Sequence, residues 1–152
     1  MNIAVLLPYK ENYTFKQAGA VSIFVNDTNS LSKYKNKIEV FGSTEKKTSL
    51  KNYTNIILKK NMLLSTSNQY LKNFAKIIEN KKIDILEIHN RPHYINFLSS
   101  VTDCKKILFF HNDPLNMQGS IKINERINLL SKTDKIIFNS NWSKSRFLID
   151  LP

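Results

Sequence analysis

The sequence predicts an α/β protein with a three-layer α/β/α arrangement, in which helices cover a doubly wound, mostly parallel sheet. Three observations support this prediction. Short apolar runs recur along the chain, and segments with helical spacing lie between them. Strands that alternate with helices form βαβ units with right-handed crossovers. Finally, 152 residues suit one domain, and no linker, repeat or change of composition divides residues 1–152.

The first half of the chain begins with an apolar run at residues 3–7, which is hydrophobic on both faces as in a buried parallel strand. Apolar residues at helical spacing predict a helix over residues 20–31. Residues 38–41 are interpreted as the second strand and residues 55–58 as a weaker third. The polar residues 42–52 between them are predicted to form an exposed loop.

The amphipathic pattern over residues 70–78 predicts the next helix, and Ser65, Thr66 or Ser67 can cap its start. The rest of the chain repeats the alternation of strand and helix. Its predicted strands are residues 83–88, 107–110 and 136–138, and its predicted helices are residues 94–101, 123–130 and 141–149. We expect Trp142 and Phe147 on the last helix to face the core. This alternation is typical of Rossmann-like domains.

The formal net charge is +11, which raises the question of nucleic-acid binding. Twenty of the 23 basic residues are Lys, however, and these are spread along the whole chain. Sequence-specific nucleic-acid binding relies on the bidentate contacts of Arg. Lys, Asn and Ile are all abundant, as an AT-rich genome would produce. We therefore interpret the charge as compositional and predict no nucleic-acid partner.

The sequence also carries signals about its compartment. Cys104 is the sole cysteine, so no disulfide can form within the chain, and a reducing compartment fits best. The first residues lack the basic and apolar regions of a signal peptide, and no apolar run approaches the length of a membrane span. We expect a cytoplasmic domain, whose basic surface suits weak, salt-sensitive contact with the inner face of an anionic membrane.

Polar residues follow several of the predicted strands, at the point where each strand ends. Ligands of open parallel sheets bind beyond the carboxyl ends of the strands, so these residues are candidates for a binding site. All three histidines of the chain belong to these strand-end segments. The candidate residues are Gly19, Ala20, His89, Asn90, Arg91, His111, Asn112, Asp113 and Ser140.

Some of these residues also have simpler explanations. Gly19 can permit close packing of a helix on a strand, or it can expose backbone N–H groups with Ala20 for a phosphate. Neither the G-x-G-x-x-G fingerprint nor a Walker loop is present. His111 can be a structural histidine. Ser140 can be a helix cap.

The other simple explanations concern turns and metals. Asn112, Asp113 and Pro114 form a natural turn sequence. His89 and His93 resemble a pair of metal ligands, but Pro92 interrupts their loop and no matching Cys or Glu cluster accompanies them. We therefore predict no metal site.

Several of these motifs together resemble the N-terminal domain of retaining glycosyltransferases that have the GT-B fold, of the family 4 kind. The resemblance covers nearly the whole chain, in the right order. The matching segments are QAGAVS at residues 17–22, EIHNRP at 87–92, FHNDP at 110–114, Glu125-Arg126, SNWS at 140–143 and Arg146-Phe147.

This resemblance implies a fold and an activity. Such enzymes have two Rossmann-like domains, and the N-terminal one mostly holds the acceptor. The enzyme transfers a hexose from a nucleotide-sugar to a glycan or to a lipid-linked saccharide. Gly19 and Ala20 would approach the donor phosphates, and His111 would lie beside the transferred sugar and contribute to catalysis. The segments 89–91 and 112–113 would line the acceptor side, and the family needs neither a metal nor another cofactor.

Two departures from the family pattern bear on this prediction. Many relatives have Gly-Gly where this chain has Ala18-Gly19. The sequence also ends at Pro152, before any nucleotide-sugar domain. We therefore expect the chain alone to be an incomplete catalyst that needs a C-terminal GT-B domain or a separate partner chain. The alternative hypothesis is a stand-alone module that binds a nucleotide or phosphosugar, or pairs with a partner, without catalysis.

Overall fold

The computed structural model describes residues 1–45, 50–58 and 65–152. Strands and helices alternate as predicted, and every strand pairing within the two compact units is parallel. These units are Met1–Asp84 and Ile85–Pro152. The α/β, Rossmann-like class predicted from the alternation of elements is therefore confirmed, whereas the assignment of the chain to one domain stays a prediction.

The first unit contains strands in the order β3-β2-β1. Its elements are β1 (Ile3–Leu6), α1 (Ala20–Leu31), a 3₁₀ turn (Lys35–Lys37), β2 (Ile38–Gly42), β3 (Tyr53–Asn55) and α2 (Thr66–Ile78). All four residues of β1 are buried, as expected for a parallel strand covered on both faces. The Ser65 side chain caps α2 by accepting a hydrogen bond from the amide of Asn68.

The elements of the first unit differ from the prediction in two places. The third strand occupies Tyr53–Asn55 rather than residues 55–58, because the register pairs Tyr53 with Val40. The predicted exposed loop 42–52 falls partly on residues 46–49, which lie outside the described residues. Within that loop, Gly42 completes β2 and Thr44 is buried, which makes the prediction wrong at these two positions.

The second unit contains strands in the order β4-β5-β6. Its elements are β4 (Ile85–His89), α3 (Tyr94–Val101), β5 (Lys105–Phe110), a 3₁₀ turn (Pro114–Asn116), α4 (Ile123–Lys132), β6 (Lys135–Phe138) and α5 (Asn141–Leu148). Aromatic rings fill the space beside β5 and β6. Phe110 stacks on Phe138 with ring centroids 5.5 Å apart, and Phe147 of α5 contacts both rings.

The side chains of α5 divide between the core and the solvent. Phe147 is buried, as predicted, and Ser143 one turn earlier shares its inward face. Trp142 is 60% exposed, so the prediction that it faces the core is wrong. Because Trp142 lies one residue before Ser143, it is rotated by about 100° from the inward face. Its ring lies 5.7 Å from the guanidinium carbon of Arg146, a cation–π contact on the outer face.

Candidate functional site

The polar residues predicted to form a site follow the carboxyl ends of three adjacent parallel strands in the second unit. His89 is the last residue of β4 and residues 90–91 follow it, the segment 111–113 follows β5, and Ser140 lies two residues after β6. The register pairs His89 with Phe109, and Phe110 with Phe138, so the three strands end at the same edge of the sheet. The structure therefore brings together the seven candidate residues of this unit.

Two histidines form the centre of this arrangement. Nδ1 of His89 lies 2.9 Å from Nε2 of His111, and the two rings stack with centroids 5.2 Å apart. His89 is buried, whereas His111 is half-buried. Nε2 of His89 lies 3.9 Å from a carboxylate oxygen of Glu87, on the same strand. Sequence reasoning missed Glu87, although its position two residues before His89 places both side chains on one face of β4.

The surroundings of His111 determine its charge. Burial of the ring, with a further contribution from the neighbouring His89, lowers the pKa of His111 to about 4. The imidazole is therefore neutral at pH 7, with one nitrogen that donates a hydrogen bond and one that accepts. A neutral imidazole at the end of a strand can hydrogen-bond a hydroxyl or exchange a proton with it.

Asn90 holds the ends of β4 and β5 together. Its backbone is in the left-handed region, with φ of 52°, which Asn adopts more readily than most residues. Its buried side-chain oxygen accepts a hydrogen bond from the backbone N–H of His111, at 2.8 Å. The Arg91 guanidinium donates to the carbonyl of Asn90, also at 2.8 Å. Asn90 therefore positions the backbone that carries His111.

The turn after His111 is held by an ion pair that sequence reasoning did not find. Arg146 of α5 donates to both carboxylate oxygens of Asp113, at 3.3 and 3.0 Å. The amide of Leu115 donates to the same carboxylate, which confirms that Asp113 starts a turn. These hydrogen bonds, with Arg146 foremost, hold the pKa of Asp113 below its usual range. The adjacent Asn112 is exposed.

Asn139 and Ser140, which follow β6, connect the end of this strand to His111 and to α5. Asn139 donates its side-chain amide to the carbonyl of His111, at 2.7 Å, and accepts a hydrogen bond from the Ser143 hydroxyl. Ser140 accepts a hydrogen bond from the amide of Ser143, so its interpretation as a helix cap is confirmed. The His111 backbone is thus hydrogen-bonded on both sides, by Asn90 and by Asn139.

His93 belongs to the start of α3 rather than to the histidine pair at the strand ends. Burial, together with the Arg91 charge, holds the pKa of His93 below its usual range. Gly119 packs so closely against it that an added Cβ would lie 2.6 Å from the His93 backbone nitrogen. In the described part of the chain, no three His, Cys, Asp or Glu side chains gather as a metal site would require.

Gly19 and Ala20, the predicted phosphate-binding residues, lie at the start of α1 in the first unit. Gly19 is the N-cap residue, and Ala20 begins the helix. The Glu11 carboxylate occupies the space in front of this first turn and accepts a hydrogen bond from the amide of Ser22, at 3.1 Å. A Cβ added to Gly19 would overlap this carboxylate. Gly19 therefore leaves room for an anionic group, the Glu11 carboxylate, at the helix N-terminus, and the phosphate-binding role of Gly19 and Ala20 stays a prediction.

Replacing Glu11 and Gly19 together is expected to reveal energetic coupling between them. Each of Glu11→Ala and Gly19→Ala removes the same contact between carboxylate and helix, so the double variant loses it only once. We expect a coupling free energy of about 1 kcal/mol, the usual size of an N-terminal cap. Urea unfolding of the four proteins measures this value. Strictly additive losses would show that Gly19→Ala leaves the contact between the Glu11 carboxylate and α1 intact, and no loss in Glu11→Ala would show that the carboxylate does not stabilise α1.

Among the described residues, no helix has the length and apolar character needed to cross a membrane. No protein-family model matches the chain. No curated protein sequence matches it either. The geometry of the strand ends and the motifs of the sequence are therefore the features that bear on function.

Proposed function

We propose that this chain is the N-terminal, acceptor-side domain of a retaining GT-B glycosyltransferase of the family 4 kind. Its reaction would transfer a hexose from a nucleotide-sugar to a glycan or to a lipid-linked saccharide. The proposal depends mainly on the environment of His111 at the end of β5. Its imidazole is neutral, and its backbone is hydrogen-bonded on both sides. This is the position at which the resemblance expects a histidine beside the transferred sugar.

The contacts around His111 suit a positioning role toward a sugar. At neutral pH the imidazole carries no charge, so it can form a hydrogen bond with a hydroxyl without requiring a counter-ion. The contact with His89 restricts rotation of the ring, which reduces the entropy lost when a substrate binds. Arg91 and Asn112 lie on the flanking segments, where the proposal places the acceptor.

The donor phosphate in this proposal would lie at the N-terminus of α1, where backbone N–H groups favour an anion. The Glu11 carboxylate already accepts a hydrogen bond from one of these N–H groups, that of Ser22. Binding of a phosphate there would therefore require Glu11 to move away from Gly19. The nucleotide itself would be held by a second domain or a partner chain, as in the enzymes that this sequence resembles.

A transfer assay tests the proposal. The protein, purified from its own cells at its native length, is incubated with labelled UDP- and GDP-hexoses and with the lipid-linked saccharides of those cells. We expect His111→Ala to lower the transfer rate at least about tenfold, the effect of losing one hydrogen bond to the reacting sugar. His93→Ala is the matched control, because it removes a histidine of the same unit that lies at the start of α3 rather than at a strand end.

The possible results separate the two hypotheses. Transfer that falls with His111→Ala but not with His93→Ala supports the glycosyltransferase assignment. A transfer rate in His111→Ala equal to that of the wild type would show that His111 has no part in the reaction. Binding of a nucleotide-sugar without any transfer would instead favour a stand-alone binding module.

A further inference from the structure

A cavity of about 480 Å³ opens in the first unit, away from the N-terminus of α1. One wall is the second half of α1, from Asn26 onward, and another is the 3₁₀ turn before β2. Asn26 lies seven residues after Gly19, which corresponds to about 10 Å along the helix axis. Cavities of this volume are typical of small-molecule sites.

The lining of the cavity combines rings, amides and positive charges. Tyr13 is buried and stacks on Tyr53 with centroids 5.3 Å apart, so its ring is fixed. Phe15 is 74% exposed and also borders the cavity, where its ring is accessible to a ligand. The polar part of the lining includes Asn26, Asn29, Asn36, Asn52, Lys35 and Lys51. No described lining residue is acidic.

The polar wall is organised before any ligand binds. The Asn52 side chain donates to the carbonyl of Lys35, at 3.1 Å, and this bond joins the segment before β3 to the 3₁₀ turn. The side-chain nitrogen of Asn29 is buried, and no described residue accepts a hydrogen bond from it. Such a donor is costly to leave unpaired, and a turn of the Asn29 side chain toward the cavity would let a ligand oxygen accept its hydrogen bond and remove that cost.

We propose that this cavity binds a monosaccharide that carries a negative charge, as a phosphate or as a carboxylate. An aromatic ring packs against the apolar face of a pyranose, and Asn amides donate to and accept from its hydroxyl groups. Lys35 and Lys51 supply the positive charge for the anionic substituent. Because all these residues lie in the first unit, this inference does not depend on the role assigned to His111.

Titration of the ¹⁵N-labelled full chain with three sugars tests this inference. The probes are glucose 6-phosphate, glucuronate and uncharged glucose, and the signals followed are the Asn side-chain amides and the backbone amides of the cavity wall. We expect saturable shifts with one or both charged sugars in the millimolar range, and binding of glucose at least about fivefold weaker. The two charged sugars distinguish a phosphate ligand from a carboxylate ligand.

Two variants locate the binding. Asn29→Ala is expected to weaken binding of the charged sugar about fivefold, the effect of one hydrogen bond. The double variant Lys35→Gln/Lys51→Gln is expected to weaken it by a similar factor and to leave glucose binding unchanged. Lys72→Gln/Lys76→Gln is the matched control, because it removes the same charge from exposed positions on α2.

Three results would overturn the proposal. The first is no saturable shift with either charged sugar. The second is an equal loss of binding in the cavity lysine variant and in the α2 control, which would indicate a general effect of net charge. The third is tighter binding of uridine monophosphate than of either charged sugar, which would assign the cavity to a nucleotide. Retained helical circular dichroism in Asn29→Ala shows that its loss of binding is local.

Discussion

Replacing Arg126 by alanine is expected to lower the free energy of unfolding by about 3 kcal/mol. Arg126 lies on α4 and is only 3% exposed. Its guanidinium donates to the carbonyls of Ser120 and Ile121 on the loop before α4, and to the carbonyl of Ile149 after α5. Alanine would leave these oxygens without their donor and would open a cavity between the loop and the chain end.

Urea unfolding measures this loss, and two further variants define its cause. Arg126→Lys keeps the charge but lacks the planar fork of donors that reaches carbonyls in two segments, so we expect it to recover less than half of the stability. Lys132→Ala removes a positive charge from the exposed end of the same helix, and we expect it to cost under about 1 kcal/mol. Similar losses in Arg126→Ala and Lys132→Ala would contradict a bracing role for Arg126.

Acidification from pH 6.5 to pH 4 is expected to destabilise the protein by about 1 to 2 kcal/mol through His111 alone, because the ring is only half-buried and solvent screens part of its pKa shift. In the folded protein the pKa of His111 is about 4, compared with 6.5 for an unperturbed histidine. Between these values the unfolded chain binds a proton that the folded chain does not. The stability due to neutral His111 is therefore fully present above pH 6.5 and is lost as the pH falls toward 4.

His111→Gln separates this effect from the other titrating groups. Both hydrogen bonds to residue 111 from Asn90 and Asn139 use its backbone, so they persist in the variant. We expect the free energy of unfolding of His111→Gln to fall less steeply over this pH range than that of the wild type. His93→Gln serves as the comparison, because it retains the His111 contribution and removes only that of His93, whose pKa is also lowered. An unchanged pH dependence in His111→Gln would show that His111 titrates normally in the folded protein.

The elements of the fold could be predicted from the sequence where the signal is local. The run at residues 3–7 predicted β1, and Ser65, one of the three residues predicted as possible caps, caps α2. The prediction placed the start of β5 two residues too late, because Lys105 and Lys106 do not belong to an apolar run. The Lys106 ammonium is nevertheless satisfied by the carbonyls of Thr102 and Cys104, which allows its burial.

The candidate site could be predicted only in part, because the sequence locates residues along the chain but not the partners that they contact. Parallel strands present their carboxyl ends at one edge, so the positions of His89, His111 and Ser140 along the chain were enough to place them together. Their partners could not be derived in this way. Glu11 lies in the middle of a polar loop, and no sequence pattern indicates that its carboxylate turns back to the start of α1.

Patterns over a few neighbouring residues are enough to predict the alternation of strands and helices, the possible caps, and the residues that follow each strand. Contacts between side chains that are far apart in the chain require the tertiary structure. The pairing of His89 with His111 and of Asp113 with Arg146 depends on strand register and on the path of the loops. Burial and these partners, rather than residue type, lower the pKa values of His111 and Asp113 below their usual ranges.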